Sequence, residues 1–249
     1  MKNILVILDG CSGNPKIERT AFEVANTPNL DYFTYYGKTG LLYPTGKKIA
    51  PESDVGTLGI LGYDPFKYHT GRGPLEALGM DIKLPREWLA LRANFATIKS
   101  DKIIERRCGR NLSTKEARKL AKDINEKINL DVPFKFFNSI EHRGVLLLEG
   151  NLSDKITNTD PAYTRIGLSG VVNIKKDIKI KKCKPLNNNL ITRKTALIIN
   201  DFTNKTIEIL RDHKVNKKRA KQAKLPANVI LLRDAGNKLP DLPKMDNWL

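Results

Sequence analysis

Asp9 and Ser53 are the first side chains whose placement invites chemistry. Asp9 closes the aliphatic run Ile4-Leu5-Val6-Ile7-Leu8 and is followed by Gly10. A continuous apolar run over residues 3–8 reads as a strand buried on both faces of a parallel sheet. In open α/β sheets ligands bind at the carboxyl ends of strands, which is where this pattern puts Asp9. Ser53 stands in Pro51-Glu52-Ser53-Asp54, a loop feeding a helix that begins with Val55, Leu58, Ile60 and Leu61. Near the N-cap of that helix, a phosphoryl group on the hydroxyl would face free N–H groups and the positive end of the dipole. A plain capping serine satisfies the same pattern, so both readings stand at this point.

The charge pattern bears on what such groups would meet. The 249 residues carry 44 Lys and Arg against 27 Asp and Glu, a net of +17. Residues 1–78 are neutral, with eight basic and eight acidic side chains, so the whole surplus lies beyond them, densest in Lys175–Lys184 and Arg211–Lys224. Such a field attracts anions, a phosphorylated metabolite as well as RNA. Aromatic residues are not interleaved with the basic runs, which argues against single-stranded nucleic acid. A solvated lysine-rich surface is the alternative. Cys11, Cys108 and Cys183 are odd in number and widely spaced, so they read as reduced small residues, with neither a zinc ribbon nor a disulfide framework. No stretch reaches the ~20 apolar residues of a membrane span. The apolar run at the N-terminus is too short for a secretory signal, so a cytoplasmic location and no membrane partner are expected.

The elements that must position these residues change character along the chain. Thr27 as cap, Pro28 at the first turn and Gly37 as stop predict a helix, and Gly40-Leu41-Leu42-Tyr43 a short returning strand. Beyond about residue 78, strand-like segments near 89–98, 102–106, 144–149 and 229–233 alternate with two helices. The first is signed by a capping box, Ser113 with Glu116, a Leu112–Ala117 staple and apolar Ala117, Leu120, Ala121, Ile124 and Ile128 at helical spacing. The second spans about Lys194 to Asp212. Strands mixed with helices after a parallel-type start predict a second, α+β domain. The expected organisation is an N-terminal piece over residues 1–78, a domain over 79–235 and a linker over 236–249.

Several short motifs then occur in one order: Leu8-Asp9-Gly10; Thr27-Pro28-Asn29-Leu30-Asp31; Ser53-Asp54; Leu61-Gly62-Tyr63-Asp64-Pro65; Gly71-Arg72-Gly73-Pro74 with Glu76-Ala77; and Asn94-Phe95-Ala96-Thr97. Arg106-Arg107-Cys108-Gly109-Arg110, His142-Arg143, Asp160-Pro161 and Ala227-Asn228 with Arg233 follow. Each alone is weak. Together they cover most of the chain and closely resemble the archaeal-type, metal-dependent, cofactor-independent phosphoglycerate mutases of the alkaline phosphatase superfamily. The resemblance implies an α/β fold, the N-terminal part of an alkaline-phosphatase-like parallel-sheet domain followed by an inserted α+β substrate-binding domain. It implies interconversion of 2-phosphoglycerate and 3-phosphoglycerate through a phosphoserine, with no 2,3-bisphosphoglycerate. Ser53 would be the serine phosphorylated, and Asp9 and Ser53 would be ligands to two divalent metal ions, manganese first, with cobalt, zinc and magnesium as alternatives. Arg106, Arg107, Arg110, His142, Arg143, Asp160 and Arg233 would belong to the substrate-binding domain.

The chemistry of these residue types agrees. A mutase without a bisphosphate cofactor must hold the phosphoryl group while glycerate turns over, and a serine hydroxyl does so only when activated, as by a metal. Planar arginine forks bind phosphate and carboxylate in bidentate fashion, which gives Arg106-Arg107-x-x-Arg110 a physical reason to exist. His69 and His213 match no motif and read as structural or solvent-exposed. There are departures: Cys11-Ser12-Gly13 replaces a longer turn, Ala162 stands in place of a histidine, and Asp234 in place of a glycine. The family's remaining metal ligands lie in Asp/His motifs of a C-terminal half that has no counterpart here. A complementary C-terminal polypeptide supplying them is therefore the expected partner. An inactive fragment that still binds phosphate ligands, and a basic nucleic-acid-binding protein, are the alternatives.

Overall fold

The computed structural model describes residues 4–8, 11, 18–47, 52–166, 169–172 and 179–244. The chain divides into two compact units, Met1–Lys67 with Leu242–Leu249, and Tyr68–Asp241. The second is thus an insertion between the two segments of the first.

In the first unit the described elements are short helices: α1 (Ala21–Val24), α2 (Pro28–Tyr36), α3 (Ser53–Ile60) and α4 (Pro65–Tyr68), the last ending at the unit boundary. A reciprocal capping box between Thr20 and Glu23 starts α1. Pro28 opens α2 and Gly37 ends it as the sequence predicts, but Thr27 does not cap it; its hydroxyl donates instead to Asp31, 3.1 Å away. Neither aliphatic segment expected as a strand forms one. Residues 4–8 and 40–43 carry no strand, and Ile4, Val6 and Leu41 are 88%, 71% and 81% exposed. A strand needs a neighbour to satisfy its ladder, and all paired strands among the described residues lie in the second unit. At the other end, the Tyr63 hydroxyl donates to the carbonyl of Pro243 at 2.9 Å, tying the returning segment to the first.

The second unit begins with α5 (Arg72–Gly79), followed by β1 (Trp88–Lys99) and β2 (Lys102–Glu105). Next come a 3₁₀ turn at Cys108–Arg110, α6 (Thr114–Lys127), β3 (Phe134–Asn138) and β4 (Arg143–Glu149). A two-stranded ribbon, β5 (Tyr163–Ile166) with β6 (Ser169–Val172), precedes α7 (Leu190–Arg211), α8 (Lys214–Lys221) and β7 (Val229–Gly236). The change of sequence texture near residue 78 falls some ten residues after the unit boundary, because α5 packs on β1, β4 and β7. β1 is the spine of a five-stranded antiparallel sheet in the order β2-β1-β4-β3, with β7 also paired to β1.

The capping box of α6 forms as its sequence predicts, and its buried residues are Ala117, Leu120, Ala121 and Ile124. The second long helix starts four residues earlier than expected, at Leu190, because the Asn189 side chain caps it at 2.8 Å. These helices bury Leu120, Ile124, Ile199 and Phe202 against Leu89, Leu91, Ala93 and Phe95 of β1, with Phe95 and Phe136 in edge contact. Asparagine side chains imitate strand neighbours around this core. Asn125 of α6 bonds both the N–H and the carbonyl of Phe136, and Asn228 does the same to Ile98. No helix among the described residues is long and apolar enough to cross a membrane.

Candidate functional site

The period of two along β1 separates core from site. Leu89, Leu91, Ala93 and Phe95 face the helices, so Arg92 and Asn94 face the other way, between apolar patches around Ala90 and Ala96. The register brings Arg233 of β7 opposite Arg92, and Arg143 of β4 opposite Asn94. Arg92 and Arg233 are each 4% exposed and Asn94 6%, while Arg143 is exposed at the strand end. A left-handed residue, Asp234 at φ 53°, sits in β7 where the β1 register shifts. This is the conformation that favours glycine and tolerates aspartate, which accounts for Asp234 at that position. Its carboxylate pairs with Arg233 at 2.5 Å.

α5 supplies a second carboxylate, from Glu76, which pairs with both Arg92 and Arg72. The Gly71-Arg72-Gly73-Pro74 motif explains how a helix comes this close. Gly71 has φ 102°, and a Cβ on Gly73 would lie 2.2 Å from the carbonyl oxygen of Ala90. Burial, reinforced by the charges of Arg72, Arg233 and Arg143, holds the Arg92 guanidinium down at about 9. The Nε of Arg92 and the Oδ1 of Asn94 are buried with no hydrogen-bond partner among the described residues.

Beside this face, Asp160 grips Arg106 in a fork, Nε to Oδ1 at 3.0 Å and Nη2 to Oδ2 at 2.5 Å. Asp160 is fully buried and holds the fork from below. The Arg106 guanidinium lies 4.6 Å from the centroid of the Tyr163 ring, and that of Arg233 lies 4.0 Å from it. Both cations thus engage one aromatic ring. Burial pushes the Tyr163 phenol up, but Arg233 together with hydrogen bonds from Arg106 and Arg107 leaves it below its ordinary value. Ala162, noted from sequence as standing in place of a histidine, is buried and gives its N–H to Asp160 at 3.1 Å.

The turn that carries the arginines is strained and pinned on both sides. Cys108, Gly109 and Arg110 all have positive φ, 50°, 70° and 53°, which is costly for the two that are not glycine. The Glu105 carboxylate accepts from the N–H groups of Arg107 and Gly109 at 2.7 and 2.5 Å. From the other side, Arg219 of α8 donates to the carbonyls of Cys108 and Asn111 and to the Asn111 side chain. Arg219 is fully buried, so the basic run Arg211–Lys224 is not all solvated surface.

His142 is buried, its carbonyl continues the ladder by accepting from Phe95 N–H, and its Nδ1 has no partner at hydrogen-bond distance among the described residues. Burial, together with the charges of Arg143 and Arg107, pushes the imidazole down to about 4, so it is neutral at physiological pH. Of the seven residues expected in a substrate-binding domain, the fold gathers Arg106, Arg107, His142, Arg143, Asp160 and Arg233. Arg110 stands exposed at the end of the turn, and no described contact joins it to the cluster. Arg72, Glu76 and Asn94 stand in motifs that carry the resemblance but were given no role from sequence, and Arg92 and Tyr163 stand in none. The signal for Arg92 was there: an arginine amid the apolar residues of Trp88-Leu89-Ala90-Leu91-Arg92-Ala93.

The other expected site lies in the first unit. Ser53 is exposed, one position into α3, with Glu52 rather than Ser53 at the N-cap. Asp9 lies outside the described residues. Among the described residues no group of three or more His, Cys, Asp or Glu side chains could hold a metal ion. His213 caps α8 through Nδ1 at 3.1 Å and meets Asp123 through Nε2 at 3.2 Å, a structural role as its sequence context suggested. Burial pushes the Cys108 and Cys183 thiols up to about 12, leaving them as inert packing groups.

An antiparallel sheet with α6 and α7 on one face, and on the other α5 beside an arginine-rich, partly buried cluster, makes this a mixed α/β protein with a candidate oxyanion site. A family model described as 2,3-bisphosphoglycerate-independent phosphoglycerate mutase matches residues 35–216, and the chain belongs to that family. It is 43% identical over 248 residues to the enzyme of that name from Aeropyrum pernix, covering 97% of this chain and 58% of that one. The Methanopyrus kandleri enzyme of the same name is 40% identical over 94% of this chain and 55% of its own. The solved cofactor-independent phosphoglycerate mutase from Thermoplasma acidophilum superposes with a TM-score of 0.57 at 35% identity, over 74% of this chain and 46% of that one. The chain therefore spans little more than half the length of the curated relatives it matches.

Proposed function

We propose that this chain is the serine-bearing and substrate-binding part of a 2,3-bisphosphoglycerate-independent phosphoglycerate mutase. The observation that carries the reading is the joined arginine cluster, in which Arg106, held by Asp160, and Arg233 both lie against the Tyr163 ring. Such preorganised forks suit a small ligand bearing phosphate and carboxylate, whereas a nucleic-acid surface would be broad and exposed. In the proposed reaction the Ser53 hydroxyl gives up its proton as its oxygen attacks phosphorus, and the bond from phosphorus to the substrate oxygen breaks. The departing glycerate oxygen takes up a proton. Glycerate, still held through its carboxylate by the arginines, presents its other hydroxyl. That oxygen loses its proton and attacks the phosphoserine; the bond from phosphorus to the Ser53 oxygen breaks, and Ser53 takes up a proton to regain its hydroxyl. His142, neutral at physiological pH, would orient a hydroxyl without adding charge. Asp9 and Ser53 are proposed as ligands to divalent ions, with the remaining ligands supplied by sequence outside these 249 residues.

The test is complementation. The chain is mixed with a polypeptide covering the rest of the Aeropyrum pernix relative, with manganese present. Conversion of 3-phosphoglycerate to 2-phosphoglycerate is followed by a coupled enolase assay. Turnover is expected only from the mixture, and Ser53→Ala is expected to abolish both turnover and phosphate labelling of the chain. Labelling that persists in the Ser53→Ala chain would remove Ser53 from its role. Turnover by this chain without the partner would overturn the need for outside ligands.

A further inference from the structure

We infer that Arg92, Arg233 and Asn94 form an oxyanion seat on the face of the sheet that carries α5, in which Arg92 binds the ligand's carboxylate or phosphate group directly and Asn94 meets an adjacent hydroxyl. The register is the first ground. Two arginines are cross-strand partners at the centre of a sheet, both buried, where like charges directly opposite destabilise the pairing. An anion lying between the two charges would offset that cost.

Charge is the second ground. The guanidiniums of Arg72, Arg143 and Arg233 all act on that of Arg92, beside the carboxylates of Glu76 and Asp234. A small anion between the guanidiniums would relieve their mutual repulsion. The third ground is orphaned polarity: Arg92 Nε offers a donor and Asn94 Oδ1 an acceptor, both buried, and neither is met by the described residues. Donor and acceptor side by side match an oxyanion next to a hydroxyl, the chemistry of a hydroxy acid or a hydroxylated phosphomonoester. The seat itself stands on these three observations; that its natural ligand is phosphoglycerate rests on the proposed function.

The test is the melting midpoint of the full chain, with and without inorganic phosphate or glycerate, against sodium chloride of equal ionic strength. The wild-type midpoint is expected to rise with phosphate or glycerate and not with chloride; the stronger response tells phosphate from carboxylate. Arg92→Lys keeps the charge but loses the fork, so ~tenfold more ligand is expected for the same rise. Asn94→Asp places a carboxylate in the seat. Its midpoint is expected to lie above wild type without ligand, and its response to phosphate and glycerate to vanish. A merely structural Asn94 would instead lower the midpoint and leave the response intact. The inference is overturned if the wild type does not respond, or if both variants respond as the wild type does. A response that depends on Arg92, in a chain that fails to yield mutase activity on complementation, would keep the seat and remove only the identity of its ligand.

Discussion

Arg219 is the residue whose replacement tests most directly how the arginine turn is held. Its guanidinium is fully buried and donates to the carbonyl of Leu225 at 2.9 Å, that of Asn111 at 3.2 Å and that of Cys108 at 3.3 Å. It also donates to Asn111 Oδ1 at 2.6 Å and Glu116 at 3.2 Å. Arg219→Met keeps the apolar stem but strands these acceptors, three of them backbone carbonyls. Each unmet buried group costs about 1–3 kcal/mol, and relaxation brings the total toward the 3–5 kcal/mol typical of breaking a buried pair. With a urea dependence of about 2 kcal/mol per molar, the midpoint should fall by roughly 2 M. Fluorescence of Trp88 in β1, in a Trp248→Phe background, follows the unit concerned. Arg219→Lys retains charge without the fork and should lose more than half as much. The same variants should weaken phosphate binding, because Cys108 and Asn111 bracket the turn that carries Arg110 and follows Arg106 and Arg107. A midpoint shift below about 0.5 M for Arg219→Met would refute this account of the turn.

His142 should make stability depend on pH. Its folded value of about 4 lies below the ordinary 6.5, so between these values the unfolded chain binds the extra proton. Its contribution is therefore fully present above about pH 6.5 and is lost as pH falls toward 4, and His142→Gln should flatten that part of the urea-midpoint profile; equal slopes in both proteins would contradict it. Arg107→Ala should cost phosphoglycerate binding about 1.5–3 kcal/mol by titration calorimetry, with Arg110→Ala and Lys181→Ala costing less; equal effects at all three would favour a diffuse basic surface.

Much of the second unit was legible because its signals are local. β1, β4 and β7 are apolar runs of strand length, and Ser113 with Glu116 marks the start of α6 by chemistry within four residues. What escaped depends on distant partners. β3 holds its edge through Asn125, eleven residues from Phe136, and Asn216 closes onto Leu210 and Ala227 with a side chain that looks like an ordinary helix-surface amide. The N-terminal aliphatic run misled for the same reason: its composition says that it can be buried, but composition does not supply a neighbouring strand. For the candidate site, the motifs marked the arginines at turns and strand ends, where polar residues stand out. Arg92 and Tyr163 owe their places to cross-strand register and to a ring lying against two cations, neither of which a single segment reveals.

Stability and the proposed binding are carried by the same strand on alternate residues, and this constrains both. Leu91, Ala93 and Phe95 hold the helices, while Arg92 and Asn94 between them hold the charged face. A slip of one residue would drive Arg92 into the apolar core and expose Phe95, so the register must be fixed far more tightly than core packing alone requires. The devices that fix it are polar and flank the site rather than forming it. Thr97 donates to the carbonyl of Pro226 at 2.6 Å, Asn228 brackets Ile98 with both ends of its amide, and Thr159 accepts from Leu232 N–H at 2.8 Å. Crowding guanidiniums onto one face weakens the sheet, and these side-chain bonds, together with the close contact that Gly73 allows α5, keep the strands paired. Gly73 is thus a binding determinant at one remove: a larger residue there would lift α5 from Ala90, carry Glu76 away from Arg92 and leave that guanidinium without the carboxylate that now pairs with it.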